Sequence, residues 1–506
     1  MEKVAVILVG INKAELIIST VDNNNYFIIN DREFENVNLN VSQSEDMFLN
    51  KMQIDAAIKI LKNFRKICEL YGVSRVIAVS TFGDQEKPKN LHSFFDEVFS
   101  LCGFRFTSLD NAEQNTVIYS SIINTHDIPK GVICYLDNEN LHLIAYNRRV
   151  VLDQVTLPLG AKALADKFKV YDADKEAAFN SLKEYLHNEL SQIQFLNEIE
   201  EDFDLVGVGQ FFEDASILAK RLRKYPLDLV NDYNLLSEDN TKVLAQLKQA
   251  DLDPTKKIKG VKEQRADATV VSLALIETLF ELSKKPALIV STRPFFEGLM
   301  FSQVVEQTQD RPLSDVLGFS MMSQSNFFDK ENEKHNEQVY NLSLLLFKQL
   351  RVLHKLPRGY TRILRLASYM HDCGQRVGFN NHAKNGFYTL LGSDLYGVSH
   401  RELVLAGMAI SLHCGGDISI NEYLKYRELV TEEDIEAVKK LGIILRLAEA
   451  FDRVKNSVIV DINCDVLGDS VIMKTIATGD NSYEVEKASE CAKDFERCFG
   501  KKIEIL

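Results

Sequence analysis

The chain has 506 residues, of which 45% are apolar and 26% charged. These proportions are typical of folded globular proteins and exclude disordered and fibrous classes, and the length predicts about three domains. The formal net charge of −14 opposes binding to nucleic acid. No apolar run reaches the ~18 residues of a membrane span, and no secretory signal precedes the first strand. Eight cysteines without a CxxC pair favour reduced thiols, so we expect a cytoplasmic protein.

The first 300 residues alternate between strand patterns and helix patterns. Apolar runs bounded by turn residues predict strands, at 4–20, 26–30, 75–80, 104–108, 131–136, 141–146, 150–157 and near Leu205. Apolar residues at helical spacing predict helices, at 52–71, 92–102, 112–123, 160–168 and 173–195. Because the chain passes twice through strands and then helices, we expect an α/β architecture with two similar lobes, 1–125 and 126–310.

The composition changes after Pro312, Gly318 and the polar stretch 322–333. Beyond this boundary the apolar spacing predicts mostly helices, at 334–354, 359–372, 382–392, 400–413 and 431–455. We therefore expect a helical domain over 320–455. Strand patterns at the end of the chain, with one helical segment between them, predict a small α/β tail over 456–506.

Histidine is concentrated in the helical half, where six of the ten histidines fall between residues 335 and 413. His371 and Asp372 end an apolar helix, so both side chains would face a neighbouring helix. A buried, satisfied His-Asp pair would explain these two residues alone. However, His335 opens one long helix and Asp452 lies near the end of another. Imidazole and carboxylate groups that converge from several helices are typical of a divalent-cation site.

The order His, His-Asp, Asp on separate helices resembles the HD superfamily of metal-dependent phosphohydrolases. That resemblance implies a divalent ion (Mg, Mn or Fe) with four ligands: His335, His371, Asp372 and Asp452. His382 and His413 lie where two-metal members of the superfamily add ligands, so Asp372 would bridge two ions and take part in catalysis.

Two features of the helical half depart from this pattern. The lysine that often follows the His-Asp pair in catalytic members is absent, and Gln375 occupies that neighbourhood. His354 and His400 are interpreted as surface or capping residues outside the metal set. A dimerising scaffold with buried histidines is therefore an alternative interpretation of this half.

The surroundings of these residues resemble a more specific family, exopolyphosphatase/guanosine pentaphosphate phosphohydrolase (Ppx/GppA). The similar segments in the helical half are 371–374, 381–388, 401–403, 412–413 and 445–453. Upstream, the similar segments are 157–161, 265–267 and 291–299. The resemblance extends over nearly the whole chain. It implies a two-lobed actin-like (ribonuclease-H-like) phosphatase domain, an HD-type helical domain and a small α/β tail.

The resemblance also implies a phosphate site between the two lobes. It implies five phosphate-binding residues: Gly10, Asn12, Gly160, Gly209 and Arg293. The family's catalytic base aligns with position 114, and a one-residue shift of the alignment would make Glu113 the base. The family's first phosphate loop reads Asp-x-Gly-Ser-Asn-Ser, whereas residues 7–12 read Ile-Leu-Val-Gly-Ile-Asn. Its second loop reads Asp-Ile-Gly-Gly-Gly-Ser-Thr-Glu, whereas residues 135–142 contain no glycine. Because glycine allows backbone amides to approach a phosphate closely, both loops are predicted to be impaired.

Two side chains of this N-terminal site also differ from the family pattern. The phosphate-contacting arginine aligns with Gln85, and one of two adjacent glutamates is replaced by Gln114. Since a neutral amide cannot accept a proton from water, the second change would remove base catalysis unless Glu113 takes that role.

Three functions remain open from the sequence. The first is release of terminal phosphate from polyphosphate or guanosine pentaphosphate at the N-terminal site, with Mg²⁺. The second, which we prefer, is hydrolysis of such a phosphoanhydride, or of another nucleotide or phosphate ester, at the C-terminal metal site. The third is a non-catalytic sensor of a phosphate metabolite or a partner-binding protein. The family resemblance further implies a homodimer.

Overall fold

The computed structural model describes residues 1–41, 46–82, 87–147, 149–170, 175–249, 266–308, 311–328 and 330–506. The chain forms two compact units. The first contains Met1–Lys224 and Val230–Phe319, and the second contains Tyr225–Leu229 and Ser320–Leu506. Residues 456–506 belong to the second unit, together with the helical residues before them.

The first unit begins with a five-stranded sheet in the order β3-β2-β1-β4-β5. Its strands are β1 (Glu2–Val9), β2 (Lys13–Val21), β3 (Phe27–Asn36), β4 (Arg75–Ser80) and β5 (Phe106–Ser108). Three helices follow or separate these strands: α1 (Lys51–Tyr71), α2 (Leu91–Cys102) and α3 (Asn111–Thr125). Ile7 and Leu16 of the sheet share one buried apolar cluster with Phe64 of α1 and Phe94 of α2. The amphipathic faces of these two helices therefore cover one side of the sheet.

The second sheet has the order β10-β11-β9-β6-β7-β8. Its strands are β6 (Lys130–Leu136), β7 (Leu141–Asn147), β8 (Val150–Leu157), β9 (Asp204–Val208), β10 (Tyr233–Leu236) and β11 (Ala287–Ser291). Read from β8 to β11, neighbouring strands pair antiparallel twice and then parallel twice, as they do from β3 to β5. The two predicted lobes thus share one topology. The sequence did not predict β10 and β11, because short apolar runs carry little periodicity.

The helices around the second sheet are α4 (Ala161–Phe168), α5 (Lys175–Leu190), α6 (Gln194–Asn197), α7 (Gln210–Arg223), α8 (Ser237–Gln249), α9 (Ala266–Ser283) and α10 (Phe296–Gln303). Gly209 precedes α7 with a φ of 102°, and a Cβ there would lie 2.8 Å from the carbonyl oxygen of Leu136. Both the backbone conformation and the space therefore require glycine at this position.

The second unit is mostly helical, as the sequence predicted. After α11 (Val316–Phe328), its helices are α12 (Glu333–Gln349), α13 (Arg351–His354), α14 (Tyr360–Met370), α15 (His382–Leu391), α16 (His400–Leu412), α17 (Ile420–Tyr426), α18 (Glu432–Ala450), α19 (Ser482–Ser489) and α20 (Ala492–Phe499). A three-stranded sheet contains β12 (Ile459–Val466), β13 (Ser470–Ala477) and β14 (Lys502–Ile505). Among the described residues, no helix is both long and apolar enough to cross a membrane.

Four of these helices, α12, α14, α16 and α18, pack against one another in the second unit. Capping boxes fix the starts of two of them: Ser399 with Glu402 at α16, and Thr431 with Asp434 at α18. The polar side chains predicted as ligands lie near the start of α12, at the start of α15 and just after the ends of α14, α16 and α18.

Candidate metal centre

Several ends of the packed helices meet at one cluster of buried polar side chains. His335 lies in the first turn of α12, His371 and Asp372 directly follow α14, and His413 directly follows α16. Asp452 lies just beyond the end of α18 and is fully buried. Burying imidazole and carboxylate groups together is costly unless they are hydrogen-bonded or bind a cation. The partners of each group are therefore informative.

Three histidines of the cluster present the same ring nitrogen, Nε2, to its centre, because their Nδ1 atoms are held by the backbone. The Nδ1 atoms of His371, His382 and His413 each lie at hydrogen-bond distance from a backbone carbonyl three residues earlier. These carbonyls belong to Ser368 (2.7 Å), Phe379 (3.0 Å) and Ile410. Because a carbonyl oxygen only accepts, each Nδ1 carries the proton and donates it. In the neutral ring, Nε2 is then a free lone pair, which is the form that binds a metal ion.

These Nε2 lone pairs point towards one another and towards Asp372. The Nε2 atoms of His382 and His413 are 3.2 Å apart. The Nε2 atom of His371 and Oδ1 of Asp372 are buried without a hydrogen-bond partner among the described residues. Neutral rings in this arrangement would place lone pairs against each other, and either a shared proton or a bound cation between them would remove this repulsion. Ligand atoms bound to one ion at about 2.1 Å and at right angles are about 3 Å apart, close to the spacing observed.

Asp372 lies between two of these rings. Its Oδ1 is 3.7 Å from Nε2 of His382, and its Oδ2 is 3.7 Å from Nε2 of His371. Burial by itself raises the pKa of Asp372, but the nearby His371 and Lys455 outweigh burial and lower this pKa to about 2. Asp372 is therefore a carboxylate at neutral pH, as a bridging ligand has to be.

His335 and Asp452 form the other side of the cluster. Nδ1 of His335 is 2.8 Å from Oδ2 of Asp452, and Oδ1 of Asp452 accepts the backbone N–H of Ser457 at 2.7 Å. His335 also has a ring nitrogen within 4.8 Å of ligand atoms of His371 and Asp372. The six side chains named from the sequence thus lie in one region of the second unit.

Four further residues join the cluster that the sequence did not identify. Glu449 Oε2 lies 3.6 Å from Nε2 of His413, and Arg453 lies 3.1 Å from the other oxygen of Glu449. Cys414 Sγ lies 3.3 Å from Nε2 of both His382 and His413. Glu449 lies about one helical turn before Asp452, and this spacing could have indicated it as a further member of the cluster.

The fourth residue is Lys455, which the sequence did not connect with the His-Asp pair. Its Nζ lies 3.4 Å from Oδ2 of Asp372, although Lys455 is far from the His-Asp pair along the chain. Its distance along the chain hides this contact, because Lys455 comes from the segment after α18. A cavity of about 190 Å³ is lined by these groups: His335, Asp372, Gln375, Phe379, Glu449, Arg453 and Lys455. Its lining thus combines two cations, Arg453 and Lys455, with two carboxylates, Asp372 and Glu449.

Two histidines outside the cluster correct the sequence interpretation. His354 and His400 are buried, with 1% and 3% of their surfaces exposed, so the prediction of surface positions was wrong. His354 does act as a local cap, since its Nδ1 accepts the N–H of Leu356 at 2.9 Å. His400 Nδ1 lies 2.9 Å from the hydroxyl of Tyr225. Tertiary contacts with residues distant in the chain cover the ring of His400, and local sequence does not encode them.

At the N-terminal site, Glu113 and Gln114 both have structural contacts. Glu113 is exposed and forms a capping box with Asp110: each side chain accepts the backbone N–H of the other residue, at 2.9 and 2.8 Å. Gln114 is buried, and its Nε2 donates to the carbonyl oxygens of Leu109 (3.2 Å) and Phe82 (3.4 Å). A carboxylate could not donate these bonds, so the amide fits this position and an ionised glutamate does not.

We expect Gln114→Glu to destabilise the protein by about 1–3 kcal/mol at pH 7, because a buried carboxylate would face two carbonyl oxygens. Urea denaturation would measure this loss. Glu113→Gln is the matched control, since glutamine also completes a capping box and the residue is exposed. A Gln114→Glu variant as stable as the wild type would contradict the structural role given to this amide.

The loops that correspond to the phosphate loops make internal hydrogen bonds. Gly10 donates its N–H to Lys13 at 2.9 Å within the β1–β2 turn, and the carbonyl of Asn12 accepts the N–H of Val37 at 3.1 Å. At Gly160, a Cβ would lie 2.1 Å from the backbone of Glu139, so the turn that replaces the second loop contacts Gly160 directly. These contacts hold both loops against their own lobes.

The start of α4 is capped by that same turn, residues 137–140. The backbone amides of Gly160, Ala161, Lys162 and Ala163 donate to carbonyl oxygens of residues 137–139, at 2.9 to 3.0 Å. Free amides at a helix start are the groups that bind phosphate in many enzymes. In this chain they are already satisfied, so this helix offers no ready phosphate site.

The remaining predicted phosphate residue in the first unit is Arg293. It is buried, with 3% of its surface exposed, and its Nε lies 3.8 Å from Oε1 of Glu297, which is also buried. Its backbone carbonyl accepts a hydrogen bond from Ser121. Gln85 and residue 265 lie outside the described residues.

The Asp137 carboxylate makes the stability of the first unit dependent on pH. Burial raises its pKa to about 6, although its Oδ1 accepts the N–H groups of Glu139 and Asn140. A raised folded-state pKa contributes stability below the unfolded value of ~3.9, and this contribution is lost as the pH rises through about 6. Since 29% of the side chain is exposed, we expect solvent screening to limit the effect to about 1–2 kcal/mol.

We therefore expect Asp137→Asn, which keeps the acceptor oxygen and removes the charge, to be more stable than the wild type above pH 6. The difference should disappear near pH 4, where the folded wild type is protonated at this residue. Urea denaturation between pH 4 and 8 measures both free energies of unfolding. A difference that is constant over this range would show that the charge of Asp137 is not its cause.

Comparisons with known proteins agree with this architecture. The model of the Ppx/GppA phosphatase family matches residues 17–307, and the model of Ppx/GppA phosphatase domain III matches residues 325–484. A bifunctional 3-dehydroquinate synthase/phosphatase from Fusobacterium nucleatum is 20% identical over 310 residues, which are 58% of this chain and 46% of that protein. This chain therefore matches less than half the length of that relative.

Solved structures of similar fold include a Ppx/GppA phosphatase from Aquifex aeolicus, with a TM-score of 0.51 and 19% identity over 60% of this chain and 100% of that one. An exopolyphosphatase from Cytophaga hutchinsonii has a TM-score of 0.54 and 21% identity, over 61% of this chain and 99% of that one. At these identities the likeness concerns the fold, whereas the two family models together match most of the sequence. By that match, this chain belongs to the Ppx/GppA phosphatase family.

Proposed function

We propose that the protein is a metal-dependent phosphohydrolase whose active centre is the HD-type cluster of the second unit. We call this cluster the metal centre; it consists of His335, His371, Asp372, His382, His413, Glu449 and Asp452. One observation supports it above all others: three imidazole rings, each with its Nδ1 proton held by a carbonyl, aim Nε2 lone pairs at a buried carboxylate. Histidine and carboxylate ligands of this kind suit Mn or Fe, and carboxylates also suit Mg.

The residues of the metal centre and the cations of its cavity would have different roles in hydrolysis. A divalent ion bound at the metal centre would polarise a phosphoryl oxygen and activate water at neutral pH. The carbonyl partners of the histidines hold the rings in place, so binding requires no rearrangement of the ligands. Lys455 and Arg453 line the same cavity and would bind the negative oxygens of the phosphoryl group. Asp372, ionised at neutral pH, would be the shared ligand.

We propose inorganic polyphosphate, guanosine pentaphosphate or another nucleotide as the substrate. Membership of a phosphatase family and the fold shared with an exopolyphosphatase support this class. The capped start of α4 and the buried amide of Gln114 support the proposal that the N-terminal site is impaired. The eight free thiols support a reducing compartment such as the cytoplasm. We also expect a homodimer, which light scattering of the purified protein would test.

The direct test measures metal content and phosphate release on the same purified full-length chain. Elemental analysis should find Mn, Fe or another divalent metal, and phosphate release from polyphosphate or guanosine pentaphosphate should stop after chelation and return with the metal. A protein that binds metal but hydrolyses nothing on a broad panel of phosphate compounds would contradict catalysis. Thermal stabilisation of that inactive protein by one such compound would identify a sensor instead.

A further inference from the structure

A second cavity, of about 570 Å³, lies elsewhere in the helical unit. It is formed by the end of α12, by α13 and by the start of α14. His335 lies near the start of α12 and Lys348 near its end, so at about 1.5 Å per residue the two are about 20 Å apart along the helix. None of the residues that line this cavity also lines the cavity of the metal centre. We call it the basic cavity.

Its lining is strongly positive in a chain whose formal net charge is −14. The basic cavity contains no acidic side chain among its lining residues, and its cations are Lys348, Arg351, Arg358, Arg362 and Arg365. Lys348, Arg351 and Arg358 have no carboxylate partner among the described residues. Since three positive charges gathered without counter-charges repel one another, the cavity is suited to a multiply charged anion.

Two of the arginines are held in position by contacts at the edge of the basic cavity. Nε of Arg362 lies 3.0 Å from Glu402, and its Nη2 donates to the carbonyl of Gly397 at 2.6 Å. The guanidinium of Arg365 lies over the ring of Tyr340, 5.7 Å from the ring centroid. Arginine forks that are already oriented bind phosphate oxygens with little loss of side-chain entropy.

The floor of the basic cavity is apolar and preformed. Phe347 is stacked on the ring of His354, with the ring centroids 4.1 Å apart. His354 donates from Nε2 to the carbonyl of Phe347 at 2.7 Å and accepts the N–H of Leu356 at 2.9 Å, so both ring nitrogens are satisfied. Lys440 donates to the carbonyl of His354 at 3.1 Å. These contacts tie α12, α13 and the following segment into one fixed surface.

We propose that the basic cavity binds the phosphate chain of a small polyanion, as a site separate from the metal centre. Its volume is within the range of about 300–1,000 Å³ that is typical of small-molecule sites. Bidentate arginine contacts recognise phosphate oxygens, and the apolar lining residues Leu344, Phe347 and Leu356 suit contact with a ring attached to the chain. The inference does not require the metal centre to be catalytic, because it uses none of its residues.

The test is calorimetric titration of the full-length chain with tripolyphosphate and, separately, with ATP. The Asp372→Ala variant is used throughout, so that hydrolysis and binding at the metal centre do not contribute. We expect saturable binding, and a loss of at least tenfold in affinity when Arg351→Gln and Arg358→Gln are added. The matched control adds Arg427→Gln and Lys493→Gln, which remove the same charge from exposed positions of the same unit that do not line the cavity.

The outcomes separate the sources of the ligand. Equal affinities for tripolyphosphate and ATP would support a free phosphate chain as the ligand. Tighter binding of ATP, lost in the same double variant, would support a nucleotide whose base lies on the apolar floor. Absence of saturable binding of either probe would overturn the proposal, as would equal losses in the cavity variant and in its control. Circular dichroism and thermal melting of both double variants would show that they remain folded.

Discussion

Replacing Asp372 with alanine is expected to lower phosphate release by at least about 100-fold and to remove bound metal from the protein. Even residues that only orient metal ligands cost about 10- to 100-fold when they are changed. Asp372 lies between Nε2 of His371 and Nε2 of His382, so its loss would leave those lone pairs without the carboxylate that completes the site. Phosphate release from polyphosphate and elemental analysis of the purified variant measure the two effects.

The paired variant Glu113→Gln decides between the two sites of the chain. If hydrolysis takes place at the metal centre, Glu113→Gln should retain wild-type phosphate release, because Glu113 only caps α3. If hydrolysis takes place between the lobes of the first unit, the result would be reversed: Glu113→Gln would be inactive and Asp372→Ala would be active. That reversed result would overturn the proposed active centre while leaving the family membership unchanged.

The second large effect is expected on thermal stability. A metal ion whose free concentration is 100 times its dissociation constant adds about 2.7 kcal/mol to the stability of the folded state. For a unit of this size, 1 kcal/mol corresponds to about 2–4 °C in Tm, so the metal should raise the Tm of the second unit by about 5–10 °C. The physical cause is the separation of facing lone pairs by a cation. Calorimetry with Mn²⁺ after chelation and dialysis would measure the shift.

The matched controls for this effect are two histidine variants. His382→Gln removes one of the two facing Nε2 atoms, so the metal-dependent shift should shrink or vanish. The metal-free variant should be no less stable than the metal-free wild type, because a repulsion has also been removed. His187→Gln makes the same chemical change at an exposed position of α5 and should keep the full shift. An equal Tm for metal-free and metal-loaded wild type would contradict a preformed site.

The sequence by itself predicted the fold class well, for a clear physical reason. Apolar residues report which parts of each element are buried, and burial is the main determinant of strands such as β7 and helices such as α14. The prediction was incomplete after Leu205 in the first unit, where it gave neither the short strands β10 and β11 nor the helices α7, α8, α9 and α10. It also joined α19 and α20 into one helix, although the chain turns near Cys491.

The sequence also named side chains capable of metal binding, since residue type alone limits which groups can be ligands. It could not say which nitrogen of each ring faces the centre. That is decided by the carbonyls of Ser368, Phe379 and Ile410, which depend on how α14 and α16 end and on how the chain enters α15. Nor could it place Lys455 beside Asp372, because the two meet only when α14 and the segment after α18 are brought together.

The same distinction applies to the N-terminal lobes and to the basic cavity. Sequence showed that the glycines of the phosphate loops are missing, but only the structure showed that the turn at 137–140 occupies the amides of α4. The cations of the basic cavity form no distinctive motif in the sequence. They come together only where α12, α13 and α14 meet. The sequence determines which chemical groups each segment carries. Which of these groups meet at one site depends on packing between distant elements, and only the tertiary structure decides this packing.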